Sequence, residues 1–238
     1  MGVPGKVSGV VLALLVAACE RAPKPPVRGA AVGAAHAVAP APDSRRVILF
    51  IGTSLTAGLG LDPDQAYPAV VARRLDSLGE NYEVVNAGVS GETSADARRR
   101  MGWLLRRPAA VIVLETGAND GLRGLGASAL RENLQAIIDT VKAVEPGARI
   151  ILAGMEAPPN MGPQYTAQFR ATFPGLAKEN GLALIPFLLA GVGGVDTLNQ
   201  ADGIHPNVRG AELVASNVMR VLLPVLASLP KDAAPAAP

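Results

Sequence analysis

The sequence predicts a three-layer α/β/α sandwich around a parallel sheet of five strands. Short runs of β-branched and apolar residues alternate with longer stretches of helical period, which is the order of repeated βα units. The runs are apolar at successive positions, so both strand faces must be covered, as in a parallel sheet with helices on either side. A chain of 238 residues with 49% apolar content is long enough to build one sizeable core.

The first strand is Val47-Ile-Leu-Phe-Ile51, an unbroken apolar run that ends in Gly52-Thr53-Ser54-Leu55. A helical period follows over 67–78, then the strand Tyr82-Glu-Val-Val85 and the glycine-containing loop from Asn86 to Thr93. The next helix covers 95–106, the next strand Ala110-Val-Ile-Val-Leu114, and after it comes Gly117-Ala-Asn119-Asp120. A long amphipathic helix over 127–144 leads to the strand Arg149-Ile-Ile-Leu-Ala153, a Met- and Pro-rich loop over 155–165, and a helix over 165–179. The strand Ala183-Leu-Ile-Pro186, a long loop and a helix over 208–223 complete the pattern. In open α/β sheets ligands bind beyond the carboxyl ends of the strands, so the chemistry is sought in these loops.

Of the two histidines, His36 lies in an Ala/Pro-rich stretch, which leaves His205 for any imidazole acid-base chemistry in the folded domain. Asp202 precedes it by three residues and is placed to hold the ring and stabilise its charge. Ser54 stands in a strand-to-helix turn with Gly52 before it, a setting that suits a nucleophile but, taken alone, fits a helix cap better. Gly91 can bring a bare N–H to a carbonyl oxygen, and Asn119 can donate from its amide. With the Ser54 N–H they would form a three-donor oxyanion hole, one donor of which contributes about 100- to 1,000-fold in rate. Each also fits an ordinary turn residue, Asp202 fits a helix-capping or turn carboxylate, and Asp120 fits a brace for the oxyanion loop as well as a turn aspartate.

In chain order, Ser54, Gly91, Asn119 and His205 are the marker residues of the SGNH hydrolases, the GDSL-type esterases and lipases, which the whole domain resembles. The similarity is greatest to the bacterial acyl-CoA thioesterase I, lysophospholipase L1 and arylesterase subgroup, through Val89-Ser-Gly-Glu-Thr93, Asn119-Asp-Gly-Leu-Arg-Gly124 and Asp202-Gly-Ile-His-Pro-Asn207. The resemblance implies a flavodoxin-like SGNH hydrolase fold, a Ser54–His205–Asp202 triad, an oxyanion hole of Ser54, Gly91 and Asn119, and no cofactor. It also implies that Pro159, Met161 and Tyr165 line the acyl groove, although a Pro-rich connector without a ligand role fits the same residues. Thr53 departs from the family's Gly-Asp-Ser-Leu block, so a hydroxyl must replace the hydrogen bonds of a carboxylate in the nucleophile turn.

Lys6 followed by the apolar run Val10–Ala18 reads as an export signal, too short to span a bilayer comfortably. Val16-Ala-Ala-Cys19 resembles a lipobox, which makes Cys19 the lipidation site and a lipid anchor the contact with the membrane. The resemblance to lipoproteins of double-membraned bacteria further implies, from Glu20 in place of Asp, the periplasmic face of the outer membrane. The expected layout is a lipoprotein-type signal over 1–18, an Ala/Pro-rich tether over 19–43, the hydrolase domain over 44–229 and a loose tail over 230–238.

Cys19 is the sole cysteine, so disulfides, Cys-based zinc sites and a cysteine nucleophile are excluded from the domain, and no metal is expected. A formal net charge of +2 gives no support to nucleic-acid binding. The expectation is a monomeric serine esterase acting on small acyl esters or thioesters, lysophospholipids among them. An exported location argues against acyl-CoA. Two alternatives are a carbohydrate O-acetyl esterase, disfavoured by 3% aromatic content, and an inactive binding lipoprotein, disfavoured by the intact set of five residues.

Overall fold

The computed structural model describes residues 1–2 and 45–230, and every element below belongs to the unit Pro40–Pro238. The rest of the expected signal segment, Cys19, the tether and the tail beyond Pro230 lie outside the described residues.

Strands β1 (Arg46–Gly52), β2 (Tyr82–Gly88), β3 (Val111–Glu115), β4 (Arg149–Ala153) and β5 (Ala183–Ile185) form one parallel sheet in the order β2-β1-β3-β4-β5. The helices are α1 (Ser54–Ala57), α2 (Tyr67–Ser77), α3 (Ser94–Leu104), α4 (Ala118–Leu122), α5 (Ala127–Val144), α6 (Pro163–Asn180) and α7 (Val208–Ala227). This is the expected three-layer sandwich with the flavodoxin-like strand order.

The chain steps one way from β1 to β2 and the other way from β2 through β3 to β5. Right-handed crossovers therefore send α2 to one face of the sheet and α3, α5 and α6 to the other. Accordingly α7 returns to pack on α2, while α3 packs on α5 and α5 on α6. The reversal falls at β1, whose neighbours lead away in opposite directions. The crevice at its carboxyl end is where such a sheet binds ligands.

Burial explains the strand sequences. β1 and β3 are covered on both faces, with Ile48, Phe50, Ile51, Val111, Ile112 and Val113 fully buried. The edge strand β2 is only partly covered, which is where Glu83 and Asn86 are tolerated. On α5 the spacing of Leu130, Leu134, Ile137, Ile138 and Val141 makes one buried stripe, each side chain worth about 1.5–3 kcal/mol relative to exposure.

Two helices were not expected. α1 and α4 are four and five residues long, too short to show a helical period. α7 runs past the expected end at 223 and through Pro224 to Ala227. Pro224 is exposed, so the Arg220 carbonyl that loses its N–H partner lies on the solvent side. Leu222 and Leu226 continue the buried stripe meanwhile. By length and composition α7 is apolar enough to cross a membrane, but half of it is buried against α2, β4 and β5.

Candidate active site

The nucleophile turn begins where β1 ends. Thr53 is the N-cap of α1, extended at φ −98 and ψ −153, with its Oγ1 accepting the Leu55 N–H at 3.5 Å. Ser54 is the first helical residue, so the cap role falls to its neighbour and the Ser54 hydroxyl is free for other bonds. Gly52 is required by close approach: a methyl there would stand 2.5 Å from Glu115 Oε2 and closer still to Thr56 Oγ1. Gly52→Ala is expected to destabilise the domain by about 1–3 kcal/mol through overpacking. Thermal melting checks it, and an unchanged Tm would contradict the tight packing.

His205 reaches this turn from the loop before α7. Its Nε2 lies 2.8 Å from Ser54 Oγ, and its Nδ1 lies 2.6 Å from Asp202 Oδ2. The other Asp202 oxygen accepts the N–H groups of Ile204 at 2.9 Å and His205 at 3.0 Å. Gly203, at φ +70, supplies the left-handed residue that lets carboxylate and ring meet within one turn. The His205 backbone bond, then its ring, then the Ile204 N–H hold the Asp202 carboxyl down at about 2.

Amide side chains staple this loop in place. Asn199 Nδ2 donates to Val192 O and Val195 O, Gln200 Nε2 to Leu59 O and Pro206 O, and Asn207 Nδ2 to Thr197 O. Asn207 Oδ1 also caps α7 through the Gly210 N–H at 3.1 Å.

The loops from the flanking strands border the same turn. Val89 N–H donates to Gly52 O at 2.8 Å, which sets the start of the Gly91 loop beside β1. β3 pairs with β1 on the other side, so Asn119 emerges there. Gly91 has φ +79, and its carbonyl accepts Arg123 Nη2 at 2.8 Å. Asn119 Nδ2 donates to Glu92 O at 3.0 Å, which leaves the second hydrogen of the amide for another acceptor. Gly91 and Asn119 are thus tied to each other's loops, and no hydrogen bond joins either to Ser54.

Charged groups brace those loops. Buried Glu92 takes a two-pronged bond from Arg100, at 2.5 and 2.7 Å, and Arg100 also reaches Gly52 O at 3.5 Å. Buried Asp120 accepts the Ser94 N–H at 2.8 Å and the Ser94 hydroxyl at 2.5 Å, linking the Asn119 turn to the start of α3. That settles Asp120 as a brace between two loops.

Pro159, Met161 and Tyr165 do not line the small cavity beside Ser54. Pro159 is exposed, Met161 sits against Gly124, and the Tyr165 hydroxyl donates to Leu125 O at 2.6 Å. Met161 and Tyr165 pack on the segment after Asn119. The cavity beside Ser54 has instead Leu55, Leu59, Leu61, Tyr67, Leu189 and Val214 around Ser54 and His205. Its volume is about 10 Å³, room for about one water. Leu59, Val89, Leu122, Leu125 and Ile204 are exposed apolar residues in the segments that carry the site residues.

Sequence reasoning missed Glu115. This carboxylate is fully buried at the end of β3, where it accepts the Thr53 N–H at 2.8 Å, the Thr53 hydroxyl at 3.0 Å and the Thr56 hydroxyl at 2.8 Å. The signal was present: Glu115 is the one ionisable residue closing an otherwise apolar strand.

A hydroxyl bonded to an imidazole that is itself held by a carboxylate, beyond the central strand of an open α/β sheet, defines the class of serine-dependent ester hydrolases. The chain belongs to the GDSL-like Lipase/Acylhydrolase family, whose sequence model matches residues 50–213. It is a carboxylic ester hydrolase, as the four marker residues led one to expect. Esterase TesA of Pseudomonas aeruginosa is 41% identical over 182 residues, covering 76% of this chain and 90% of that protein. The Escherichia coli K12 protein called Thioesterase 1/protease 1/lysophospholipase L1 is 35% identical over 181 residues, 75% and 84% of the two chains. A crystal structure of TesA superposes with a TM-score of 0.72 at 40% identity, covering 76% of this chain and 99% of that one. AlinE4, described as an SGNH-hydrolase family esterase, gives 0.64 at 38% identity, covering 76% and 97%.

Proposed function

We propose that this chain is an exported, membrane-tethered serine esterase for amphiphilic acyl esters, lysophospholipids and thioesters among them. Ser54 is its nucleophile, His205 its base and Asp202 the partner of that base. The observation that carries this reading is the hydrogen-bond series from Asp202 to His205 to Ser54, at 2.6 and 2.8 Å.

With Nδ1–H held by Asp202, the imidazole presents an unprotonated Nε2 to the Ser54 hydroxyl. Ser54 Oγ attacks the acyl carbon as its proton passes to Nε2, and the imidazolium then returns that proton to the leaving alkoxide or thiolate. Water, deprotonated by the same nitrogen, attacks the acyl-enzyme and releases the acid. In each tetrahedral intermediate the oxyanion is held by the N–H groups of Ser54 and Gly91 and the free amide hydrogen of Asn119.

The substrate class follows from the surroundings. The cavity beside Ser54 is too small for an acyl chain, so the chain lies across the exposed rim of Val89, Leu122, Leu125 and Ile204. Met161 and Tyr165 support that rim from behind through Gly124 and Leu125. Trp103, the sole tryptophan, does not line the cavity, and Tyr67, which does, is buried, so a sugar ring finds little aromatic surface to stack on there.

Residues 1–18 are read as a lipoprotein-type signal, Cys19 as the lipid anchor and 19–43 as the tether that carries the 44–229 domain, at the periplasmic face of the outer membrane. Residues 230–238 are read as a tail. A tethered catalyst with an apolar rim is suited to substrates that partition into membranes.

A fluorophosphonate probe applied to fractionated cells tests both parts. The expected result is labelling of the full chain in the membrane fraction, lost in Ser54→Ala, and moved to the soluble fraction in Cys19→Ser. Labelling that persists in Ser54→Ala would refute the nucleophile, and a soluble parent protein would refute the anchor.

A further inference from the structure

From the contacts of the nucleophile turn we infer that Glu115 is a positioning residue: as a carboxylate it clamps the turn that presents Ser54, and its protonation releases the clamp. The inference rests on Ser54 being the nucleophile. Three donors converge on this buried side chain, the Thr53 N–H and hydroxyl and the Thr56 hydroxyl, all from the two residues that bracket Ser54 and its neighbour Leu55. An ionised carboxyl offers only acceptors, so the direction of every bond follows. Thr56 must give its proton to Glu115, which leaves its lone pairs for the Tyr67 hydroxyl 2.7 Å away. Thr53 likewise gives its proton to Glu115 and takes the Leu55 N–H as the helix cap. The chain from Tyr67 through Thr56 to Glu115 thus runs in one direction only while the carboxyl is charged.

A proton on Glu115 reverses that logic. The carboxyl then becomes a donor to one of the threonines, Thr56 turns its hydroxyl toward Tyr67, and the charge-assisted bonds that grip the turn become weaker neutral ones. The groups around the carboxyl do little to resist this. Tyr67 from α2 faces it as a neutral phenol, its pKa raised by its own burial and by the Glu115 charge. Arg100 from α3 is committed to Glu92 and touches only Gly52 O nearby, and Ala153 lies opposite on β4. Burial accordingly pushes the Glu115 carboxyl up to about 7, against the bonds from Thr53 and Thr56. The clamp is therefore set to titrate near neutrality.

Activity and stability respond with opposite sign. Hydrolysis needs the charged clamp and falls as pH drops through about 7. The folded state binds this proton more tightly than the unfolded chain, so the stability contribution is fully present below the ordinary carboxyl pKa of about 4.5 and is lost as pH rises through about 7.

The test compares the parent enzyme with Glu115→Gln, Tyr67→Phe and Ser54→Ala between pH 5 and 9. It uses p-nitrophenyl butyrate, read at the nitrophenol isosbestic wavelength, with melting curves at each pH. A clamp and an imidazole that must both be unprotonated give the parent an acid limb of kcat/KM with a limiting slope of two. Glu115→Gln is expected to lower kcat by about 10- to 100-fold, as for a misplaced nucleophile. It should leave KM within about twofold, reduce the slope to one and flatten the fall of Tm between pH 5 and 8. A folded Glu115→Gln with the parent's kcat or slope overturns the proposal. Should that variant not fold, Tyr67→Phe decides: removing a donor behind Thr56 is expected to move the acid limb to higher pH, and an unmoved limb overturns the proposal. If Ser54→Ala retains activity, the reading of the site itself has failed. If Ser54→Ala is inactive while the other two variants match the parent, only the clamp has failed.

Discussion

His205→Ala is expected to lower kcat for ester hydrolysis by about 10⁶-fold, as removal of either member of a nucleophile–base pair does in a triad enzyme. His36 and His205 are the only histidines in the sequence, and among the described residues His205 is the one bonded to the Ser54 hydroxyl. With the ring gone, neither the attack nor the later protonation of the leaving group has a proton carrier. A serine hydroxyl has no other route to activation in this site. Ser54→Ala should cost about as much, and the double variant no more than either single one, because the two residues act as a unit. Steady-state kinetics on p-nitrophenyl butyrate, with circular dichroism to confirm the fold, measures all three. A folded His205→Ala protein with near-parental turnover would remove His205 from the mechanism.

Asp202→Asn is expected to cost about 10³- to 10⁴-fold in kcat with little change in stability, the loss typical of a triad whose imidazole is left in the wrong tautomer. The geometry says why. Asp202 Oδ1 already accepts the N–H groups of Ile204 and His205, and an asparagine oxygen can keep both bonds. Its amide nitrogen then replaces Oδ2, 2.6 Å from His205 Nδ1, and donates where the carboxylate accepted. The ring must shift its hydrogen to Nε2, the nitrogen facing Ser54, and it can no longer take the serine proton. Since Asp202 is held at about 2, it stays charged across the working range and adds nothing to the acid limb near neutrality. A bell-shaped profile in the parent with parental kcat in Asp202→Asn would contradict this role.

The legible parts of the fold are those set by local pattern. The apolar runs at 47–51 and 149–153 and the stripe on α5 need no partner to be recognised, because their periods are written in consecutive residues. α1 and α4 were invisible since four or five residues carry no period. The continuation through Pro224 was invisible for a different reason: it depends on Leu226 finding a buried surface, which no local rule supplies. Within the site, Ser54, Gly91, Asn119, Asp202 and His205 could be named because each stands at a strand end or in the last loop with a recognisable motif. Asp120 was left open between a brace and a turn residue, and Ser94, 26 positions away, decided it.

What the sequence determined by itself was the alternation of strands and helices, the family motifs that single out Ser54, and the scarcity of histidine and cysteine that leaves one imidazole and no thiol for the domain's chemistry. Only the tertiary structure decided which groups touch. Ser54 and His205 lie 151 positions apart, and Thr53 and Glu115 lie 62 apart. Both contacts exist because parallel pairing sets β1 beside β3 and the loop before α7 folds back across β1. Replacing the usual aspartate by Thr53 put the rigidity of the nucleophile turn in doubt at the level of sequence. The buried Glu115 carboxylate answers it by supplying the acceptor that Thr53 and Thr56 need, a pairing that pleated strands make and chain order does not reveal.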